Sequence, residues 1–166
     1  MSDLRIVITG ASSGIGRAAA LKMAEGNTFY LTSRRQKELE NVAEEVRSLS
    51  GTAHMGVGDI RNPDQVNLLS ETALSVLGGV DVLIANAGVG YFGLLEDMTL
   101  EEYDAQFETN VRGVFLWIKN LLPHMKEQEH GQIIVTSSNL GLETSGRASL
   151  YSATKHAVQA MVWCLR

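Results

Sequence analysis

Tyr151 and Lys155 stand four residues apart, a spacing that on a helix puts both side chains on one face. A free phenol, with a pKa of about 10, is a poor proton carrier near neutrality. An ammonium held beside it favours the phenolate, which makes proton exchange with a carbinol or carbonyl oxygen feasible. Ser137 and Ser138 follow an apolar run, and a serine hydroxyl there could hold the same oxygen. Each feature also has an ordinary reading. Tyr–Lys pairs at this spacing are common on exposed helix faces, and Ser-Ser after a strand is often a helix cap. Ser152-x-x-Lys155 spells a nucleophile motif of penicillin-binding enzymes, but its companion motifs are absent from the chain.

A second constellation lies at the other end of the sequence, in Thr9-Gly10-Ala11-Ser12-Ser13-Gly14-Ile15-Gly16. Gly10 permits a sharp turn, Gly14 lets the backbone approach a ligand, and Gly16 allows a helix to pack closely on a sheet. The turn follows an apolar run and opens the helix-forming Arg17-Ala18-Ala19-Ala20-Leu21, so free N–H groups would face an anion. In that context a glycine cluster reads as a dinucleotide phosphate cradle. No Gly-Lys-Ser/Thr follows, which excludes a Walker-type loop. At the end of the second apolar run the chain reads Thr32-Ser33-Arg34-Arg35, with no acid to meet a ribose 2′-hydroxyl. Arg34, with Arg17 at the start of the first helix, therefore favours NADP, with NAD still possible. Arg35 reads as a solvated loop charge.

The elements that must position these groups alternate in period. Leu4 to Thr9, Phe29 to Thr32, His54 to Val57, Val80 to Ile84 and Gln132 to Thr136 read as strands, the third weakest because glycines flank it. Between them Leu39, Val42, Val46 and Leu49 share a helical face, as do Val66, Leu69, Ala73 and Leu77. Phe107, Val111, Val114, Ile118 and Leu121 make the longest stripe. Pro63 suits a first helical turn after Asn62, and Pro123 is expected to kink or end its helix. Such alternation implies βαβ units, a doubly wound parallel sheet with helices on both faces, and ligands at the strands' carboxyl ends. The expected architecture is α/β, in one domain over residues 1–166.

Composition narrows the class. The 166 residues are 45% hydrophobic and 20% charged, with a formal charge of −5, which excludes intrinsic disorder. No apolar run is long enough for a membrane span. The excess of 19 acidic over 14 basic residues argues against nucleic acid as a partner. A single cysteine and an unremarkable Met1-Ser2-Asp3 opening give the cytoplasm as the expected compartment. The four histidines share no ligand spacing, so no metal is expected.

The glycine turn, Asn86-Ala87-Gly88, Ser138 and Tyr151-x-x-x-Lys155, in this order across the whole chain, resemble the short-chain dehydrogenase/reductase family. That resemblance implies a Rossmann-type fold and an oxidoreductase moving hydride between a nicotinamide and a small carbonyl or alcohol substrate. It implies Tyr151 as general acid/base, with Lys155 assisting it and binding the nicotinamide ribose. Ser138 would orient the substrate oxygen, and Asn110 would complete a proton-relay tetrad. Cofactor contacts are implied for Gly10, Ser12, Ser13, Gly14, Ile15, Gly16, Asp59, Ile60, Asn86, Ala87 and Gly88, beside the arginines. Asp59 alone would read equally as a turn residue. Ala85 departs from the family, which usually carries a second asparagine there.

By the same resemblance, members continue into further strands and a substrate-covering segment, and pair through the helices that carry Asn110 and Tyr151. This sequence ends within an apolar helix at Arg166. The expectation is an incomplete domain that is weakly stable, inactive or self-associating, with its fifth strand an open edge. A nucleotide-binding or structural fragment without catalysis is thus the competing reading, and a homo-oligomer is expected.

Overall fold

The computed structural model describes residues 3–165. Five strands, β1 (Arg5–Thr9), β2 (Thr28–Ser33), β3 (Thr52–Val57), β4 (Val82–Ala85) and β5 (Gln132–Val135), form one parallel sheet in the order β3-β2-β1-β4-β5. The order reverses between β1 and β4, so the crevice above their carboxyl ends is the switch point where ligands bind in such sheets. All five strands match those expected from the apolar runs, within one or two residues at their ends.

Alternation along the strands divides the core into two layers. Ile6, Ile8, Phe29 and Leu31 point to the face covered by α1 (Gly14–Lys22) and α2 (Gln36–Ser48). Val7, Tyr30 and Leu83 point to the face covered by α3 (Pro63–Leu77), α5 (Gly113–Glu127) and α6 (Ser149–Trp163). Burying each such side chain removes apolar surface worth about 1.5–3 kcal/mol from water. β5 and β3 are the two edge strands among the described residues, and Ile134 on β5 is 41% exposed.

Local chemistry sets the helix ends. The Asn62 side chain accepts from the amides of Asp64 and Gln65, Pro63 takes the first position of α3, and Gly78 closes that helix at φ 69°. Thr99 and Glu102 form a capping box on α4 (Leu100–Phe107). Two expectations are corrected. Pro123 does not end α5, which runs on to Glu127. Pro123 and Lys119 both lie on the exposed side, where water can take the carbonyl the proline leaves unbonded. The long stripe is also not one α-helix: a π turn at Glu108–Arg112 separates α4 from α5. Val114, Ile118 and Leu121 enter the core, while Phe107 stacks on Tyr103 with ring centroids 4.4 Å apart. Leu49 falls just past α2 and is exposed.

Candidate functional site

The carboxyl end of β1 is built around a hydroxyl. Thr9 Oγ1 accepts from the backbone amides of both Asn86 (3.0 Å) and Ala87 (3.1 Å), fastening the loop after β4 to β1. The Asn86 carboxamide donates to the carbonyls of Thr9 (3.2 Å) and Gly10 (3.4 Å) and accepts from Thr136 Oγ1 at 3.1 Å beyond β5. One asparagine thus ties three strand ends into a rigid floor.

The glycines of the first turn have separable reasons. Gly10 has φ +65°, and a Cβ there would lie 2.8 Å from Ala87 Cα. Gly16 packs so tightly that a Cβ would meet the Gly10 carbonyl oxygen at 2.6 Å. At Gly14, with φ +56°, a Cβ would meet nothing within 4 Å: the space before the α1 N-terminus is open. Turn and close packing need glycine at 10 and 16, and the open space at 14 leaves room for an anion near free backbone N–H groups.

Above this floor lies a cavity of about 480 Å³. Its walls bring together residues from five segments: Gly10, Ser12, Ser13 and Ile15 of the glycine turn; Arg34 and Arg35; Asp59 and Ile60; Asn86, Ala87 and Gly88; and Tyr151 with Lys155 on α6. Twelve of the residues singled out in the sequence therefore converge on one crevice, counted from the cavity walls without Arg35. Gly14 and Gly16 shape it from behind.

Three of the singled-out side chains do not line the cavity. Arg17 is turned away, its Nη2 donating to Glu45 Oε2 on α2 at 2.5 Å. One turn into α1, its side chain points across the helix pair, and a carboxylate is waiting there. Arg35, expected to be a solvated charge, reaches back instead, its Nη2 donating to Ser12 Oγ (2.9 Å) and Ser13 Oγ (2.6 Å). Nothing in the local spacing distinguishes Arg35 from Arg34; the path of the chain after β2 does. Asn110 is buried in the π turn, where its Oδ1 accepts from Val89 N and its Nδ2 donates to Val89 O, both at 2.8 Å, and to Thr154 Oγ1 at 3.1 Å. Ser138 caps a short 3₁₀ turn: its Oγ accepts from Leu140 N and donates to Asn139 Oδ1 at 3.0 Å.

The α6 face carries the chemistry. Lys155 is 5% exposed, and its Nζ donates to the Thr136 carbonyl at 2.8 Å while lying 5.5 Å from the centre of the Tyr151 ring. Burial holds the Lys155 ammonium below the usual lysine range. Elsewhere on the cavity wall the Asp59 carboxylate is forked by Arg61, with 2.7 Å from Nη2 to Oδ2. That bond, more than the nearby Arg34 charge, holds Asp59 below the usual carboxylate range. The hydroxyls of Thr9, Thr136 and Thr154 escaped the sequence reading, since a threonine at a strand end or in a helix carries no local signature. The cavity wall thus carries the Arg34 and Arg35 guanidinium groups, the glycine turn before α1 and the Tyr151–Lys155 pair.

A family model described as short chain dehydrogenase matches residues 5–166. An uncharacterized oxidoreductase of Listeria monocytogenes is 36% identical over 162 residues, covering 97% of this chain and 65% of that protein. Dehydrogenase/reductase SDR family member 7B of Xenopus tropicalis is 35% identical, over all of this chain and 56% of its own length. The chain thus spans less than two thirds of the length of these curated relatives. A short chain dehydrogenase/reductase from Burkholderia phymatum, solved in complex with NAD, superposes with a TM-score of 0.95 at 32% identity, over 99% of this chain and 59% of that one. An alcohol dehydrogenase from the archaeon Thermococcus sibiricus, complexed with 5-hydroxy-NADP, gives 0.94 at 33% identity, over 99% and 70%. Among the described residues no helix is long and apolar enough to cross a membrane.

Proposed function

Since the chain belongs to the short-chain dehydrogenase family, we propose that it holds NADP(H) in this crevice and serves a carbonyl/alcohol oxidoreductase, with Tyr151 exchanging the substrate proton. The observation that carries the reading is the placement of Lys155. Its ammonium is buried on the Thr136 carbonyl, beside the Tyr151 ring and in the same cavity as the glycine turn. An ammonium kept out of water acts on a neighbouring phenol more strongly than an exposed one.

A bound nicotinamide cofactor would supply the hydride. In the reducing direction the Tyr151 hydroxyl gives its proton to the carbonyl oxygen as the carbonyl carbon is reduced, and in the oxidising direction the phenolate takes it back. Lys155 stabilises the phenolate and offers N–H groups to ribose hydroxyls. Ser138 holds the substrate oxygen after its hydroxyl swings from Asn139 Oδ1, an exchange of one hydrogen bond for another. Asn110 acts at one remove, clamping the Val89 backbone and so the wall beside Gly88. Arg34 makes no hydrogen bond among the described residues and is available to a 2′-phosphate. Arg35 joins it by leaving the serine hydroxyls, or holds those hydroxyls toward the phosphates. The absence of a carboxylate at the end of β2 supports NADP over NAD.

Titration of the purified chain with NADPH and with NADH tests the cofactor half, and NADPH is expected to bind at least tenfold more tightly. Equal affinities would remove the arginines from their role. Failure of both cofactors to bind would leave the non-catalytic fragment as the better account.

A further inference from the structure

The loop after β4 carries an aromatic ring whose place the proton chemistry does not require. Phe92 lines the cavity and packs on Tyr151, with ring centroids 5.4 Å apart and planes tilted by 51°, yet it is 60% exposed. A large apolar ring left in water beside a reactive hydroxyl costs solvation that burial elsewhere would recover. Its neighbour explains how it reaches there. A Cβ at Gly90 would lie 3.0 Å from the Phe92 ring and 3.1 Å from Tyr151 Cδ2, so any larger residue would push the two rings aside by a few tenths of an ångström.

The backbone holds the ring in place. Val89 is clamped at both its amide and its carbonyl by Asn110, the Tyr91 amide donates to the buried Gln106 Oε1 at 3.2 Å, and the Gly93 amide donates to the Arg147 carbonyl at 2.9 Å. Pinning at 89, 91 and 93 leaves little entropy to lose when a ligand settles on the residue between them.

Resting on the proposed carbonyl chemistry, we propose that Phe92 is a specificity-determining residue that selects substrates with a planar aryl group next to the reacting carbon. The substrate ring lies against the Phe92 ring while its oxygen meets the Tyr151 hydroxyl. A flat ring offers the offset or edge-to-face contact that a saturated ring of the same carbon count cannot, worth about three- to tenfold in affinity.

The test compares acetophenone with cyclohexyl methyl ketone, equal in skeleton and different in planarity. Rates are measured with NADPH, and binding to the NADP⁺-loaded chain is measured by saturation-transfer NMR. The wild type is expected to favour acetophenone about three- to tenfold in kcat/KM, mainly through KM. F92L is expected to bring the ratio near one without changing NADPH affinity, and F92Y to keep the preference. Because the ring is largely exposed, neither variant endangers the fold. An unchanged ratio in F92L, no aryl preference in the wild type, or no binding of either ketone overturns the proposal. Turnover of both ketones with equal efficiency removes the selection and leaves the oxidoreductase reading intact. Phe92-dependent binding without turnover does the reverse.

Discussion

The two ends of the sheet are built from the same strands and treat polar groups in opposite ways. At the amino end, the Asp81 carboxylate just before β4 receives the Arg5 backbone N–H (2.7 Å), Arg5 Nε (3.0 Å) and Nη2 (2.6 Å), and His130 Nε2 (2.9 Å). Arg5 Nη1 also donates to the Gly78 carbonyl, and Gln128 Nε2 to those of Val80 and His130. The Arg5 guanidinium, first among these partners, holds Asp81 far below the usual carboxylate range. At the carboxyl end, among the described residues, Ser137 Oγ is buried without a partner and the Lys155 ammonium makes a single hydrogen bond. Unmet groups of this kind cost about 1–3 kcal/mol each. The amino end closes on itself and stabilises the fold, while the carboxyl end leaves polar groups unmet.

That contrast breaks if variants at one end behave like variants at the other. The largest effect is expected for Tyr151→Phe, which should lower turnover by about a thousandfold or more while sparing NADPH binding and Tm. Turnover within tenfold of wild type would remove Tyr151 from the proton path. Next comes Asp81→Asn, expected to destabilise by about 1–3 kcal/mol, because it leaves the Arg5 charge without its carboxylate. Chemical denaturation measures this, and the affinity for NADPH should not move. Arg35→Ala should cut the preference for NADPH over NADH by about tenfold, one charge-assisted contact's worth, with little change in Tm. The smallest overall effect is expected for Gly14→Ala: about 1 kcal/mol of stability from the positive φ alone, since its Cβ meets nothing, accompanied by weaker cofactor binding. A Gly14→Ala chain that binds NADPH as wild type does would deny that the open space is a phosphate site.

Acidity sharpens the same comparison. Asp81 is depressed in the folded chain, so its contribution is whole above the unfolded carboxylate value of about 4 and is lost as pH falls below it. The wild type should therefore lose stability on acidification below pH 4 more steeply than Asp81→Asn. His130 is raised, first by the Gln128 carbonyl and then by Asp81. Its contribution is present below about 6.5 and disappears as pH rises through the raised folded value. Denaturation midpoints followed from pH 3 to 8 read both slopes.

The crevice residues legible in the sequence were those fixed by local rules. Gly10 and Gly16 follow from a strand that must turn sharply into a helix, and Tyr151 and Lys155 from helical spacing. The residues that were not legible depend on where distant segments arrive. Arg17 turns away from the crevice and Arg35 toward it because Glu45 on α2 captures the first and the serines of the glycine turn capture the second. Asn110 was expected only from the resemblance, and its partner, the Val89 backbone twenty-one residues away, is set by the π turn that carries it. That α5 continues past Pro123 was not legible, because a proline's cost in a helix depends on whether water can reach the carbonyl it strands.

Sequence alone determined the βαβ alternation, the parallel sheet, the glycine turn and the pairing of phenol with ammonium. Each arises from periods of two to four residues, which act through neighbouring backbone. Tertiary structure decided which arginine faces the crevice, what Asn110 holds, how Phe92 comes to lie on Tyr151, and that Asp81 meets Arg5 across 76 residues. Those outcomes rest on the directions of side chains brought together only when the sheet is assembled, and no local period encodes them.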